Sequence, residues 1–339
     1  MEKNDNFILQ ALKGTSQVFF MENAITGVLF FVAMAVASYV SGNWATTIGA
    51  ALGVIVATAT AHLIGGDKPS INSGLYGFNG VLVGAALPTF IAAAPLLWVY
   101  IIIGAAASTV ITAAFSATLT AKWGIPGSTG PFVLTGWLMV AGAYSFGCLD
   151  VTGETAKLPT DYVQGLAALP APLELGEIFF RNIAQVYLLD SWISGVIILI
   201  GIFIASIPAG IAAAAGSVVA LIVALGMGAD PKVVSEGLYG FSPVLTAMAV
   251  SVIFLKPSPR IIAYALLATV VTVFVQAAMD VFVAPVGVPS FTAPYVLTMY
   301  LFIAPKAMLA PHPHAPVHGH MLTSDTTSAP PRPAAAPPT

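Results

Sequence analysis

The nine residues GLYGFNGVL, at positions 74–82, return in the second half of the chain as GLYGFSPVL at positions 237–245, with seven of the nine positions identical. Asp67 and Asp230 precede the two copies at the same spacing. Self-similarity at a fixed spacing is typical of a duplicated structural unit. The two segments therefore indicate that the chain contains two copies of one unit.

Two further pairs of segments extend this repeat. PGSTGPFVLTGW, from Pro126, matches PSFTAPYVLTMY, from Pro289, at the same spacing. SQVFFMENAITG, from Ser16, matches AQVYLLDSWISG, from Ala184, at a slightly longer spacing. Three pairs in the same order, with one small length difference between them, cannot come from glycine-rich composition alone.

The composition predicts a membrane protein. The chain has 339 residues, of which 58% are hydrophobic and 7% are charged, whereas about 25% of the residues of a soluble domain are charged. Long apolar runs without two-residue alternation favour membrane helices over a closed barrel. We therefore expect an all-α polytopic membrane protein. The single Cys148 excludes an internal disulfide framework.

The apolar runs and the repeat divide the chain into five parts. We expect an interfacial N-terminal segment, a first membrane repeat whose first block starts near residue 16, a more polar linker, a second membrane repeat and a disordered tail rich in Pro, Ala and His. These parts cover residues 1–23, 24–146, 147–178, 179–310 and 311–339. About ten spans fit the apolar length, and an odd number in each half would make the two repeats inverted, with a shared pore between them.

Polar groups that recur in both halves indicate a pathway. A glutamine, a phenylalanine and a threonine are repeated: Gln17, Phe78, Thr129, Gln185, Phe241 and Thr292. Polar residues in membrane helices either join helices or line a passage, and repetition in both halves favours the passage. Amide, hydroxyl and backbone carbonyl groups suit a small neutral polar solute, whereas an ion would lose its hydration without a compensating charge.

The sequence disfavours several other functions. It contains no nucleotide-binding loop, paired catalytic carboxylates or hydrolase motif, so a membrane enzyme is not expected, and neither is a cofactor or a bound metal. No basic patch indicates nucleic-acid binding. The acids within the three repeated blocks are Glu22 and Asp190, and Asp280 has no acidic partner at the equivalent Ala117. An ion-coupled transporter that uses one of these acids remains an alternative.

At these three pairs of segments the sequence resembles the urea transporter family of bacterial and animal membranes, over about residues 10 to 310. The resemblance implies five spans and a re-entrant tilted helix in each half, inverted halves, one pore in each protomer and a homotrimer in the lipid bilayer. It implies channel-like facilitated transport of urea down its gradient. A channel for another small neutral solute, such as an amide, water or ammonia, is the alternative. The short loops, without N-x-[ST] acceptors, favour a bacterial inner membrane.

The resemblance also assigns roles to residues of this chain. Apolar slots that admit the flat urea molecule edgewise would be formed by Val18, Phe20, Phe78, Leu82, Val186, Leu188, Phe241 and Leu245. Gln17 and Gln185 would contact urea amides near two outer sites. Thr129 and Thr292 would offer hydroxyl groups beside a ladder of backbone oxygens.

Differences between the halves predict an asymmetric pore. Phe20 aligns with Leu188, so the slots at the two ends should be unequal. Asn79–Gly80 becomes Ser242–Pro243, which should bend the second motif differently. Tyr76 and Tyr239 are interpreted as packing residues, because helical spacing points them away from the phenylalanines.

Overall fold

The computed structural model describes residues 6–152, 156–162 and 170–309, and these ranges are almost entirely helical. The described residues form no strand beyond an isolated antiparallel bridge between Ile91 and Val151. The predicted tail, residues 311–339, and parts of the predicted linker lie outside the described residues. The structure therefore confirms the all-α class.

The helices of the two halves follow one another in the same order. Those of the first half are α1 Phe7–Gln17, α2 Ala24–Ser41, α3 Trp44–Leu63, α4 Lys68–Asn72, α5 Phe78–Phe90, α6 Pro95–Phe115, α7 Ala121–Trp123 and α8 Gly130–Ala143. Those of the second half are α9 Pro172–Ala184, α10 Trp192–Ala205, α11 Ile207–Gly226, α12 Pro231–Ser235, α13 Phe241–Met248, α14 Pro259–Val283 and α15 Ala293–Ile303. Helix α9, the counterpart of α1, begins inside the range predicted as the linker.

Among the described residues, five helices are long and apolar enough to cross a membrane: Ala24–Ser41, Trp44–Leu63, Pro95–Trp123, Ile207–Gly226 and Pro259–Val286. Helix α9 with its following turn, and α10, are bent by 74° and would count as a sixth span if taken together. Three shorter apolar helices also occur: Phe78–Phe90, Gly130–Ala143 and Phe241–Ile253. This confirms a polytopic helical membrane protein, while the count of ten spans, which includes shorter helices, stays a prediction.

The repeated aspartates begin equivalent helices. The Asp67 carboxylate accepts a hydrogen bond from the Ser70 backbone N–H at the start of α4, and Asp230 accepts one from the Lys232 N–H at the start of α12. A side-chain acceptor at the N-cap satisfies a backbone donor that the helix itself leaves free. The spacing seen in the sequence thus reflects matched helix starts.

The first two helices of each half touch through a matched glycine. A Cβ atom added to Gly27 of α2 would lie 2.0 Å from the Leu12 carbonyl oxygen of α1, and one on Gly195 of α10 would lie 2.0 Å from the Phe180 oxygen of α9. Any larger residue would push the two helices apart. Glycine therefore brings each short helix against the long helix that follows it.

The contact between the two halves is reciprocal. The Thr26 hydroxyl donates to the Gly201 carbonyl over 2.9 Å, and the Ser194 hydroxyl donates to the Ala33 carbonyl over 2.8 Å. Thr26 and Ser194 are equivalent, and so are Ala33 and Gly201, at the spacing that relates Ser16 to Ala184. Helices α2 and α10 therefore contact each other with the same surface, as equivalent units do around a two-fold axis.

Candidate functional site

Two chambers open into the protein at equivalent places in its two halves. The first chamber has a volume of about 550 Å³ and the second of about 230 Å³. Equivalent residues line both chambers: Asp67 and Asp230, Leu75 and Leu238, Tyr76 and Tyr239, Phe78 and Phe241, and Pro126 and Pro289. Each chamber is thus built around one copy of the segment GLYGF, and its tyrosine faces the chamber as well as its phenylalanine.

The predicted pathway residues divide between the chambers and the layer around them. Phe78 lines the first chamber. Five others line the second: Gln185, Val186, Leu188, Phe241 and Thr292. The remaining six are buried and line neither chamber: Gln17, Val18, Phe20, Leu82, Thr129 and Leu245.

The apolar members of this set belong to one continuous cluster. Seven are buried within it, and Leu188 packs against it; the seven are Val18, Phe20, Phe78, Leu82, Val186, Phe241 and Leu245. Phe20 also lies 6.1 Å from the ring of Tyr295 and 5.7 Å from that of Phe254, between ring centroids. Side chains far apart in sequence are therefore brought together by the fold.

The two repeated glutamines make the same contact. The Gln17 amide Nε2 donates to the Ser73 carbonyl over 2.9 Å, and the Gln185 Nε2 donates to the Glu236 carbonyl over 2.8 Å. Ser73 and Glu236 immediately precede the two GLYGF segments. Each glutamine consequently joins the end of α1 or α9 to the turn that positions the phenylalanine.

The two repeated threonines contact each other directly. The Thr292 hydroxyl donates to the Thr129 hydroxyl over 2.7 Å. Each threonine precedes the first residue of a helix, α8 or α15, and neither side chain caps its own helix. The pair places two hydroxyl groups where the two halves meet.

Strained backbone is concentrated at this site. Among the described residues, the non-glycine residues with positive φ are Phe20 at 63°, Ser128 at 46°, Leu188 at 59° and Phe291 at 49°. They form two equivalent pairs, and each residue lies beside a predicted pathway residue or is one. Left-handed backbone is unfavourable for such side chains, and strain of this kind clusters at functional sites.

One equivalent contact differs in polarity between the halves. Ser128 and Tyr295 share a hydrogen bond of 2.6 Å between their hydroxyl oxygens. At the reciprocal position, Phe291 lies edge-on to Phe132, with 4.9 Å between ring centroids. Both phenylalanines line the second chamber, whereas Ser128 lines the first. The sequence comparison predicted unequal ends from Phe20 and Leu188 but missed this second difference.

Asn79 is a further residue that the sequence analysis did not assign to the site. Its Nδ2 donates to the Thr112 hydroxyl over 3.0 Å, and its Oδ1 accepts from the Phe132 backbone N–H over 3.1 Å. It thereby joins the first turn of α5 to that of α8. The equivalent Ser242 has a buried hydroxyl without a hydrogen-bond partner among the described residues. The change from Asn to Ser was visible in the sequence, but its consequence required the partners.

Two of the three acids considered for ion coupling, Glu22 and Asp190, lie in matched ion pairs, whereas the Asp280 carboxylate accepts hydrogen bonds from Gln276. Lys13 Nζ lies 3.1 Å from Glu22 Oε1, and Arg181 Nε lies 3.3 Å from Asp190 Oδ1. The two bases are equivalent to each other in the repeat, and so are the two acids. The part of the chain that the structure describes contains no group of three or more His, Cys, Asp or Glu residues that could hold a metal.

The sequence also matches known proteins of one family. The family model described as "Urea transporter" matches residues 8–307. The chain is similar to "Urea transporter 1" of Capra hircus and of Ovis aries, each 30% identical over 304 residues, covering 88% of this chain and 76% of the relative. "Urea transporter 1" of Rattus norvegicus is 29% identical over 298 residues, covering 86% and 75%. With the duplicated helices and the paired chambers, these matches show that the chain belongs to the urea transporter family.

Proposed function

We propose that this protein is a channel-like facilitator that lets urea cross the membrane down its concentration gradient. The observation that carries the proposal is the pair of equivalent chambers together with the interior of the protein. The interior contains the buried apolar side chains of Val18, Phe20, Leu82 and Leu245 and the Thr129–Thr292 hydroxyl pair, which we call the buried layer. The pathway would run from one chamber, through the buried layer, to the other chamber. Family membership supplies urea as the permeant.

The chemistry of the buried layer suits urea better than an ion. None of the twelve proposed pathway residues is charged, so an ion would lose hydration that nothing replaces. Urea is flat and neutral, and it can slide between apolar side chains while its N–H groups find oxygen acceptors. Phe78 and Phe241 would form walls of the two slots, and the threonine hydroxyls would lie between them.

Backbone carbonyl oxygens at the ends of two helices would provide further acceptors for urea. Helices α1 and α9 end at Gln17 and Ala184, shortly before the strained residues Phe20 and Leu188. The C-terminal end of a helix carries partial negative charge on carbonyl oxygens that the helix leaves free. The last carbonyl oxygens of α1 already accept from backbone N–H groups of the turn that follows, as the Gln17 oxygen does from Phe20. A carbonyl oxygen has two lone pairs, so these oxygens could also accept from urea N–H groups and would then form the backbone part of the proposed ladder.

We infer further that the two halves are inverted in the membrane. Reciprocal contacts between α2 and α10 support a two-fold relation between the halves, and the two chambers would then open on opposite sides. The homotrimer and the bacterial inner membrane follow from the family resemblance and the short loops, and both stay proposals.

Stopped-flow light scattering on proteoliposomes tests the function. An imposed urea gradient should dissipate faster in vesicles that contain the protein than in empty vesicles. The urea flux should saturate only at high urea concentration, because a site that releases its solute rapidly binds it weakly. Urea flux equal to that of empty vesicles, with the protein verified as folded by size-exclusion chromatography, would contradict the proposal. Competition among urea, acetamide and methylurea distinguishes urea from a related neutral solute.

A further inference from the structure

Three of the equivalent positions at which the two chambers differ lie close together in the fold. Ala113, Ala117 and Gly127 line the first chamber. Gln276, Asp280 and Ser290 occupy the equivalent positions in the second half and line the second chamber. Small side chains without hydrogen-bonding groups in one half are therefore replaced by three polar side chains in the other.

These three side chains form one hydrogen-bonded group, which we call the Gln276 cluster. Gln276 Nε2 lies 2.9 and 3.1 Å from the two carboxylate oxygens of Asp280 and 2.9 Å from the Ser290 hydroxyl. A carboxylate only accepts hydrogen bonds, so the amide must present its NH₂ group to Asp280. This contact fixes the orientation of the glutamine amide.

The fixed orientation leaves one strong acceptor unused. Gln276 is 1% exposed, and its Oε1 is buried without a hydrogen-bond partner among the described residues. A buried acceptor without a partner is costly, and such groups are usually satisfied by a bound molecule or ordered water. Because Gln276 lines the second chamber, the Gln276 cluster places this amide oxygen, beside a carboxylate, in the chamber wall.

The charge of the second chamber favours a cation. Among the residues that the structure describes, four carboxylates and two ammonium groups line it, which gives them a formal charge of −2; they belong to Asp161, Asp230, Glu236, Asp280, Lys157 and Lys232. The first chamber has one charged lining residue among those described, Asp67. A carboxylate strengthens hydrogen bonds from a cationic N–H donor.

We propose that the Gln276 cluster binds small planar cations with several N–H donors, of the guanidinium class, and that the bound cation obstructs urea from the second chamber. Binding rests on the cluster itself, while the obstruction rests on the proposed urea pathway. A guanidinium ion can donate to Gln276 Oε1 and to the Asp280 carboxylate at once. It cannot continue through the buried layer, because no charged group replaces its hydration there.

The test uses guanidinium chloride at millimolar concentration and two readouts. Thermal unfolding of the purified protein reports binding, since a ligand of the folded state raises Tm, and urea flux in proteoliposomes reports obstruction. Tetramethylammonium at the same ionic strength is the ligand control, because it carries the same charge without N–H donors. Guanidinium should raise Tm and slow urea flux, and tetramethylammonium should do neither.

Two variants test the assignment. Gln276→Ala installs the residue of the first chamber, and Asp280→Asn removes the charge but keeps the shape. Each should weaken guanidinium binding about tenfold or more, as expected for loss of a hydrogen bond that involves a charged group. The matched control is Thr118→Ala, at an exposed residue that lines neither chamber, and it should bind as the wild type does.

Equal effects of guanidinium and tetramethylammonium would overturn the proposal. So would unchanged guanidinium binding in either folded variant. If the wild-type protein passes no urea, the proposed function fails, while the unfolding measurement still decides whether the cluster binds guanidinium. If one variant does not fold, the other gives the decision.

Discussion

The hydroxyl of Thr292 donates to the hydroxyl of Thr129 over 2.7 Å, and the two threonines occupy equivalent positions in the two halves. A residue can contact its own counterpart only near the axis that relates the two halves. Phe19 and Tyr187 form a second such pair, with 5.8 Å between ring centroids. Under the proposed two-fold relation of the halves, the two pairs lie beside its axis.

Replacing the threonines by valine should separate stability from transport. Thr129→Val or Thr292→Val alone leaves the other hydroxyl, 1–2% exposed, without its partner, at a cost of about 1–3 kcal/mol. The double variant removes both hydroxyls, so it should be more stable than the sum of the single effects predicts. Its urea flux should nevertheless fall below that of either single variant. Thermal unfolding and stopped-flow flux measure the two quantities, and strictly additive destabilisation would contradict the pairing.

Close contact between α3 and α5 predicts a large effect of a single methyl group. A Cβ atom on Gly84 would lie 2.0 Å from the Gly49 carbonyl oxygen, and one on Gly53 would lie 2.1 Å from that of Gly80. Small residues at this spacing let membrane helices approach closely. Gly84→Ala should therefore lower the free energy of unfolding by about 1–3 kcal/mol, measured by thermal unfolding in detergent.

A matched glycine supplies the control for this change. A Cβ atom on Gly226, in α11, would meet nothing within 4 Å, so Gly226→Ala should leave stability unchanged or raise it slightly, as alanine is the better helix former. Equal stability of the two variants would show that α3 and α5 do not meet as described.

The two phenylalanines of the repeated segments should control selectivity at the two chambers. Phe78→Ala should change the ratio of urea to methylurea flux, because it removes a wall of the proposed slot, and Phe241→Ala should do so in the second half. Phe274→Ala is the control, since Phe274 is 47% exposed on the outer surface of α14 and lines neither chamber. An unchanged ratio in a folded Phe78→Ala variant would make Phe78 a packing residue.

The sequence was sufficient for the helical membrane class and for the duplication, because both are encoded in composition and in spacing. The equivalence of Thr129 and Thr292 could also be read from the two aligned segments. Spacing does not reveal which residues meet across the axis, however. The contacts of Ser128 with Tyr295 and of Phe132 with Phe291 depend on how the two halves face each other, and no periodicity within one half contains that information.

The Gln276 cluster could not be predicted from the sequence either, because spacing along the chain does not show which side chains meet in the fold. In the sequence, Asp280 stands out as an acid without an acidic counterpart, but nothing in the sequence links it to Gln276 or Ser290. Gln276 lies one helical turn earlier in α14, whereas Ser290 lies beyond the end of that helix. Only the fold shows that all three meet in one chamber, while their counterparts in the other half are small.

The matched ion pairs predict transport that is independent of ion gradients. Lys13 pairs with Glu22 in the first half and Arg181 with Asp190 in the second, so a basic partner neutralises each of these two acids and no transported proton or sodium ion is needed to do so. Glu22→Gln should change stability by at most about 1 kcal/mol, because both partners are partly exposed. Urea flux in proteoliposomes should be the same with and without an imposed pH or sodium gradient, in the wild type and in Glu22→Gln. Asp190→Asn, the equivalent change in the second half, should behave alike. Accumulation of urea against its gradient in the wild type, abolished by either substitution, would instead identify an ion-coupled transporter.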